Sequence, residues 1–149
     1  MKNRYSKILN FIIEKHQGQK DKGGNPYFLH PVTVALLCET ESEKIVALLH
    51  DILEDTETTD EELVVLGVTE EELIAIKLLA KPDKEDYLHY IDRVAVNPLA
   101  RRVKMADLTH NMDLSRLLQI TKRDKERREK YQKAYNLLND IENEVIEER

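Results

Sequence analysis

His50-Asp51-Ile52-Leu53-Glu54-Asp55 gathers four side chains fit for metal, proton or phosphate chemistry into six successive positions. Around them Ile45, Leu48, Leu49 and Ile52 keep the i, i+3, i+4, i+7 spacing of one helical stripe, so the segment is directed at a core. An imidazole and a carboxylate are costly to desolvate there, and a divalent cation offsets that cost directly. The pattern therefore predicts a metal site. Adjacent helical positions differ by about 100°, so His50 and Asp51 share one ion only where the helix turns an edge towards it. Glu54 lies one turn beyond His50 and Asp55 one turn beyond Asp51, which sets two further carboxylates beside that edge, free to act on water or substrate.

Further ligands have to come from elsewhere in the chain. His30, in Tyr27-Phe28-Leu29-His30-Pro31, stands at a loop-to-helix junction, and Asp107, in Val103-Lys104-Met105-Ala106-Asp107, interrupts an apolar helical face. Two imidazoles with two carboxylates suit a borderline or hard first-row ion that keeps positions open to water; manganese, iron and zinc each fit. Lys20 and Lys22 precede His30 in the same loop and are candidates for contact with an anionic substrate. Lys104 lies nearest the face of Asp107 and suits a structural ion pair as well as it suits phosphate. The run Lys122 to Lys130 mixes both signs of charge and reads as an exposed helix face. His16 and His89 read as surface residues. His110, three positions after Asp107, is either a hydrogen-bond partner behind the site or a packed helix histidine.

The elements that must position these groups are helices. Tyr5, Ile8, Leu9 and Ile12 mark one; Pro31 suits the first turn of a second, carrying Val34, Ala35 and Leu37; the doublet lies within a third. Thr59-x-x-Glu62 and Thr69-x-x-Glu72 are two capping boxes, with Gly67 placed to end the first of the helices they open. The second starts at about Glu70 and ends near Lys81-Pro82. Asp83 leads another, with Tyr87, Tyr90, Ile91 and Val94, and Pro98 opens the next, running through Val103, Ala106 and Leu114. The last follows Thr121 and carries Tyr131, Ala134, Tyr135, Leu138, Ile141 and Val145 on one face, with Glu142 to Glu148 as a solvated, fraying end. No strand is expected. The one long irregular stretch, Gln17 to Leu29, is placed as ligand-holding loops often are.

Residues 1–149 suffice for one domain with its own core. The formal charge of 23 − 29 = −6 argues against broad attraction to nucleic acid or anionic membranes, while a small anionic substrate needs only a local basic patch. Cys38 is the only cysteine, which excludes an internal disulfide and suits a reducing compartment. With no long apolar stretch, a cytoplasmic protein is expected. Oligomeric state is not legible.

His30, the His50-Asp51 doublet and Asp107, in that order on successive helices, resemble the HD-domain metal-dependent phosphohydrolases. Gly24-x-Pro26-Tyr27-Phe28-x-His30-Pro31, His50-Asp51-x-x-Glu54-Asp55-Thr56 and Val103-Lys104-x-Ala106-Asp107-x-x-His110-Asn111-Met112 resemble the hydrolase domain of Rel/Spo-type alarmone enzymes over most of the chain. The likeness is closest to the stand-alone small alarmone hydrolases, because 149 residues leave no room for a pyrophosphokinase domain. It implies a compact all-α HD-domain bundle and one Mn²⁺ held by His30, His50, Asp51 and Asp107. The implied reaction is water attack on the 3′-pyrophosphate of (p)ppGpp, with Glu54 and Asp55 as the catalytic acidic pair and Asn111 contacting the nucleotide sugar. Where the family carries an Arg-Lys pair that packs on guanine, the aligned residues are Asp21 and Lys22, and an acidic side chain offers no cation–π surface. The family's threonine seven residues after the last metal aspartate is Leu114 here, beside Ser115. Rival readings are another HD-type nucleotide phosphohydrolase, such as a 5′-nucleotidase, and a non-catalytic nucleotide-binding regulator.

Overall fold

The computed structural model describes residues 2–147. Its helices are α1 (Lys2–Lys15), α2 (Leu29–Leu36), α3 (Glu41–Leu49), α4 (Ile52–Asp55), α5 (Asp60–Val65), α6 (Glu70–Leu79), α7 (Tyr87–Ala95), α8 (Pro98–Asn111) and α9 (Lys122–Glu147), with a 3₁₀ turn η1 (Leu114–Arg116) before the last. Among the described residues there is no strand, only an isolated antiparallel bridge between Lys20 and Pro26. The architecture is the all-α bundle that the helical spacing predicts.

Helix α3 occupies the middle, for a reason visible in its side chains. Ile45, Val46, Ala47, Leu48 and Leu49 are consecutive and all buried, so apolar surface on every side of the helix needs a partner. Helices α1, α2, α6 and α8 supply those partners. Helix α9 lies across α8 and α7 and inserts Ala134 and Leu138 into the core.

Capping chemistry sets most boundaries. Thr59 and Thr69 form the reciprocal boxes with Glu62 and Glu72, Asn97 caps α8 ahead of Pro98, and Gly67, at φ +93°, supplies the left-handed residue after α5. Glu72 does more than cap: wholly buried, it binds Arg4 of α1 at 2.6 Å and Ser42 of α3 at 2.8 Å, tying three helices at one carboxylate.

Five expectations are corrected. Helix α6 stops at Leu79, short of Lys81-Pro82, because the carbonyls of Leu78 and Leu79 accept hydrogen bonds from Arg93 and from the Tyr90 hydroxyl of α7. Helix α7 starts after Asp86, not Asp83, since the Asp86 carboxylate accepts the amide of His89. Leu114 lies in η1, beyond the end of α8, and Leu37 falls just past α2, half-exposed. Glu142 is no fraying charge: it accepts from Arg101 Nε and Arg102 Nε, each at 2.9 Å, because the buried Arg101 guanidinium requires a carboxylate. Glu148 lies outside the described residues.

Candidate active site

The doublet does not lie inside a continuous helix. His50 follows the last residue of α3, Asp51 sits at φ −100°, ψ −1°, and α4 begins only at Ile52. The cause is local. His50 Nδ1 donates to the Ala47 carbonyl at 2.6 Å, taking the acceptor that the Asp51 amide would use in an unbroken helix. The break removes the angular problem of two adjacent helical residues and brings the Asp51 carboxylate to 3.0 Å from His50 Nε2.

Two further elements close on this junction. His30, in the first turn of α2, places Nε2 2.8 Å from Asp107 Oδ1 of α8 and 3.7 Å from Asp51 Oδ2; His50 Nε2 lies 3.2 Å from the same Asp107 oxygen. His30, His50 and Asp107 are 4%, 3% and 4% exposed, and their ligand atoms all lie within 4.8 Å of one another, as a shared metal ion requires.

The donor set fits a cation for an electrostatic reason. With Nδ1 given to a carbonyl, a neutral His50 turns a bare Nε2 lone pair towards two carboxylates. Burial alone would depress the His50 pKa, yet Asp51 and Asp107 outweigh it and hold it well above the ordinary imidazole range. The carboxylates respond in kind. Burial pushes Asp107 up, but Lys104 and His50 prevail and hold it well below the usual range, and His50 likewise outweighs burial at Asp51. His30 matches His50 in presenting Nε2. Its Nδ1 lies 2.7 Å from His110 Nδ1, and His110 is pushed down to about 4 by burial, then Arg116 and His30; in the tautomer whose Nδ1 accepts from His30, a neutral His110 leaves His30 Nε2 bare. Both rings thus offer Nε2 lone pairs to one point between carboxylates, where a divalent ion belongs.

Partners fix each ligand. The Tyr27 hydroxyl donates to Asp51 Oδ2, Lys104 Nζ to Asp107 Oδ2 at 2.8 Å, and Asn111 Nδ2 to Asp107 Oδ1 at 3.0 Å. Lys104, open between two roles in the sequence, is thus an ion-pair partner, and His110 backs His30 rather than merely packing.

These groups line one wall of a cavity of about 370 Å³. Glu54 lines it too, with Oε1 accepting the Lys81 amide at 2.6 Å. Burial, then Asp51 and Asp55, raise the Glu54 pKa against the opposing Lys81 amide. Asp55 stands at the edge, outside the lining, close enough to the Tyr27 hydroxyl to compete with Asp51 for its proton; burial and Asp51 raise its pKa as well. Lys20, Lys22 and Asn111 all line the cavity.

Sequence reasoning missed three contributors. Arg127 and Tyr131 line the cavity from α9, although the run Lys122–Lys130 read as solvated; Arg127 Nη1 is buried without a hydrogen-bond partner, 3.8 Å from Asp124. A signal existed: the stripe Tyr131, Ala134, Leu138, continued one turn back, reaches Arg127. Arg116, in η1 beyond any helical pattern, gave none. His16 is a correction. It is 2% exposed rather than on the surface, with Nδ1 2.8 Å from Gln19 Oε1 and its ring 5.1 Å from Tyr27, because the end of α1 packs behind the site. His89 is exposed, as expected.

No family model matches the chain. Individual proteins do. Over 128 residues it is 37% identical to the guanosine-3′,5′-bis(diphosphate) 3′-pyrophosphohydrolase MESH1 of Danio rerio, covering 72% of this chain and 67% of that one. It is also 37% identical over 133 residues to the guanosine-3′,5′-bis(diphosphate) 3′-pyrophosphohydrolase of Aquifex aeolicus, covering 80% of this chain but only 19% of that longer protein. The fold is shared with a solved structure of a metazoan ortholog of SpoT that hydrolyzes ppGpp, at a TM-score of 0.72 and 21% identity over 89% of this chain and 83% of that one.

Proposed function

The chain belongs to the family of the guanosine-3′,5′-bis(diphosphate) 3′-pyrophosphohydrolases, and we propose that its cavity hydrolyses ppGpp to GDP and pyrophosphate. The observation that carries this reading is the meeting of His30 Nε2, His50 Nε2, Asp51 and Asp107 in the wall of a cavity whose other side chains include Lys20, Lys22, Lys81 and Arg127. Those four ligands would hold one divalent ion, Mn²⁺ ahead of Fe²⁺ or Zn²⁺, which when bound lowers the pKa of water and draws charge from the phosphoryl oxygens.

The chain's own residues supply the rest. Glu54, with Oε1 committed to the Lys81 amide, has Oε2 free to take the proton of the attacking water; its raised pKa makes it the stronger base. Water oxygen bonds to the phosphorus attached at O3′, the P–O3′ bond breaks, and the proton ends on O3′. Asp55 acts on this step through Tyr27 and by raising the Glu54 pKa. The lysines and Arg127 would neutralise the diphosphates, and Asn111, tied to Asp107 in the same lining, would contact the sugar. The domain acts on a small anionic nucleotide, not on nucleic acid or a membrane. Its free, buried Cys38 suits the cytoplasm.

The test is product analysis with and without added Mn²⁺. Pyrophosphate and GDP from ppGpp, dependent on the metal, are the expected result. Inorganic phosphate from deoxynucleoside monophosphates, with ppGpp untouched, overturns the reading in favour of a 5′-nucleotidase; tight ppGpp binding without turnover overturns it in favour of a regulator.

A further inference from the structure

Asp21 and Arg116 are two opposite charges in the cavity lining that the proposed chemistry leaves unused. Asp21 belongs to the loop before α2, and its side chain is only 11% exposed. Its Oδ1 accepts the amides of Gly23 and Asn25, each at 2.9 Å, which fixes the carboxylate within its own loop. Its Oδ2 has only Arg116 Nη1 at 3.8 Å, beyond hydrogen-bond length, so a largely buried acceptor still has capacity. Arg116 is similarly underused: among the described residues its side chain makes one hydrogen bond, a long 3.3 Å contact from Nη2 to Asn111 Oδ1.

The two groups are held in register. A Cβ added to Gly23 would lie 2.8 Å from the Arg116 carbonyl, so this loop is pressed against η1 as only glycine permits. A chain of contacts also runs from Asp107 Oδ1 to the Asn111 amide at 3.0 Å and from Asn111 to Arg116 at 3.3 Å. Phosphate chemistry at Asp107 and a sugar over Asn111 thus put a base beside Arg116 and Asp21.

We propose that Asp21 and Arg116 read the edge of guanine, an inference that deepens the proposed function and rests on it. Arg116 donates to the guanine O6, and Asp21 Oδ2 accepts the adjoining N1–H, so that each unused group finds its complement. Adenine reverses both positions. Its exocyclic amine would face the guanidinium and its bare N1 the carboxylate, leaving two partly buried charged groups without a base partner.

Steady-state kinetics with the 3′,5′-bis(diphosphates) of guanosine and adenosine test this in the wild type, Asp21→Asn and Arg116→Gln. Asn retains the loop-capping oxygen and separates fold from recognition. The wild type should prefer guanine about a hundredfold in kcat/KM, two charged hydrogen bonds at about tenfold each. Each variant should lose about tenfold of that ratio through KM rather than kcat, the loss of one charged hydrogen bond. An unchanged ratio in both variants, or a wild type that prefers adenine, overturns the proposal. If neither nucleotide is hydrolysed, the hydrolase reading fails on its own, and calorimetric binding of GDP against ADP decides the base site: a GDP preference that Asp21→Asn abolishes supports it, and equal binding overturns it.

Discussion

Glu54 differs from its acidic neighbours in having one oxygen anchored by a backbone amide and the other free beside the ligand cluster. That division assigns it a proton, and Glu54→Gln, which keeps the anchor and removes the base, should lower kcat about 100-fold or more. Mn²⁺ affinity, followed by calorimetry, should stay the same, and the Glu54→Gln, Asp55→Asn double variant should still bind the metal. Because burial and Asp51 raise the Glu54 pKa, the active carboxylate is lost as pH falls through a value above the ordinary glutamate range. The kcat/KM profile should show that acid limb, and Glu54→Gln should erase it. Tyr27 acts one step back. Its hydroxyl holds Asp51, so Tyr27→Phe should weaken Mn²⁺ binding about tenfold while leaving kcat at saturating metal nearly intact. His50, Asp51 and Asp107 were legible as candidates because polar groups placed on apolar helical faces demand an explanation, whereas His30, at a loop-to-helix junction, stood out only in combination with them. Arg116 and the burial of His16 were not, since each depends on which distant segment packs over it.

At the scale of elements, caps and prolines wrote their own boundaries into the chain: Thr59, Thr69, Asn97 and Gly67 act where their types predict. The break at His50 and Asp51 was hidden because the apolar spacing continues across it; a side chain competing for one carbonyl, at Ala47, has no periodic signature. The end of α6 was hidden in the same way, by hydrogen bonds from α7. Glu72 shows how much one cap can carry. Burial opposes its charge, but the Thr69 amide, Arg4 and Ser42 together hold its pKa below the ordinary glutamate value. A depressed folded pKa contributes stability that is present above the unfolded value and is lost as pH falls through the folded one. Removing its partner with Arg4→Ala leaves a buried charge uncompensated and should cost about 3 kcal/mol at neutral pH. In urea denaturation the gap between wild type and variant should shrink as Glu72 becomes protonated in acid; a gap independent of pH would mean that packing of the Arg4 stem, not its charge, is what matters.

For the molecule as a whole, the candidate ligand cluster draws on α2, the α3–α4 junction and α8, segments 20 to 77 residues apart in the chain that meet only when the core has formed around α3. The unfolded chain has no such site, so metal binding and folding are linked. At a free Mn²⁺ concentration 100 times the dissociation constant, the linkage contributes about 2.7 kcal/mol. For a chain of this size that corresponds to a rise in Tm of about 5–10 °C. Asp107→Asn should abolish the rise, because it removes an oxygen donor common to both histidines while preserving the hydrogen-bonding shape. The metal-free proteins should differ in the same sense but by less. Without a cation, Asp107 still pairs with Lys104 and His50, which hold its pKa well below the usual range, so Asp107→Asn leaves two buried cations short of a partner. Scanning calorimetry of both proteins in EDTA and in Mn²⁺ separates the two effects: the variant should melt below the wild type in EDTA, and the gap should widen in Mn²⁺. A wild type indifferent to Mn²⁺ would mean that protons, not a metal ion, are what this cluster was built to hold.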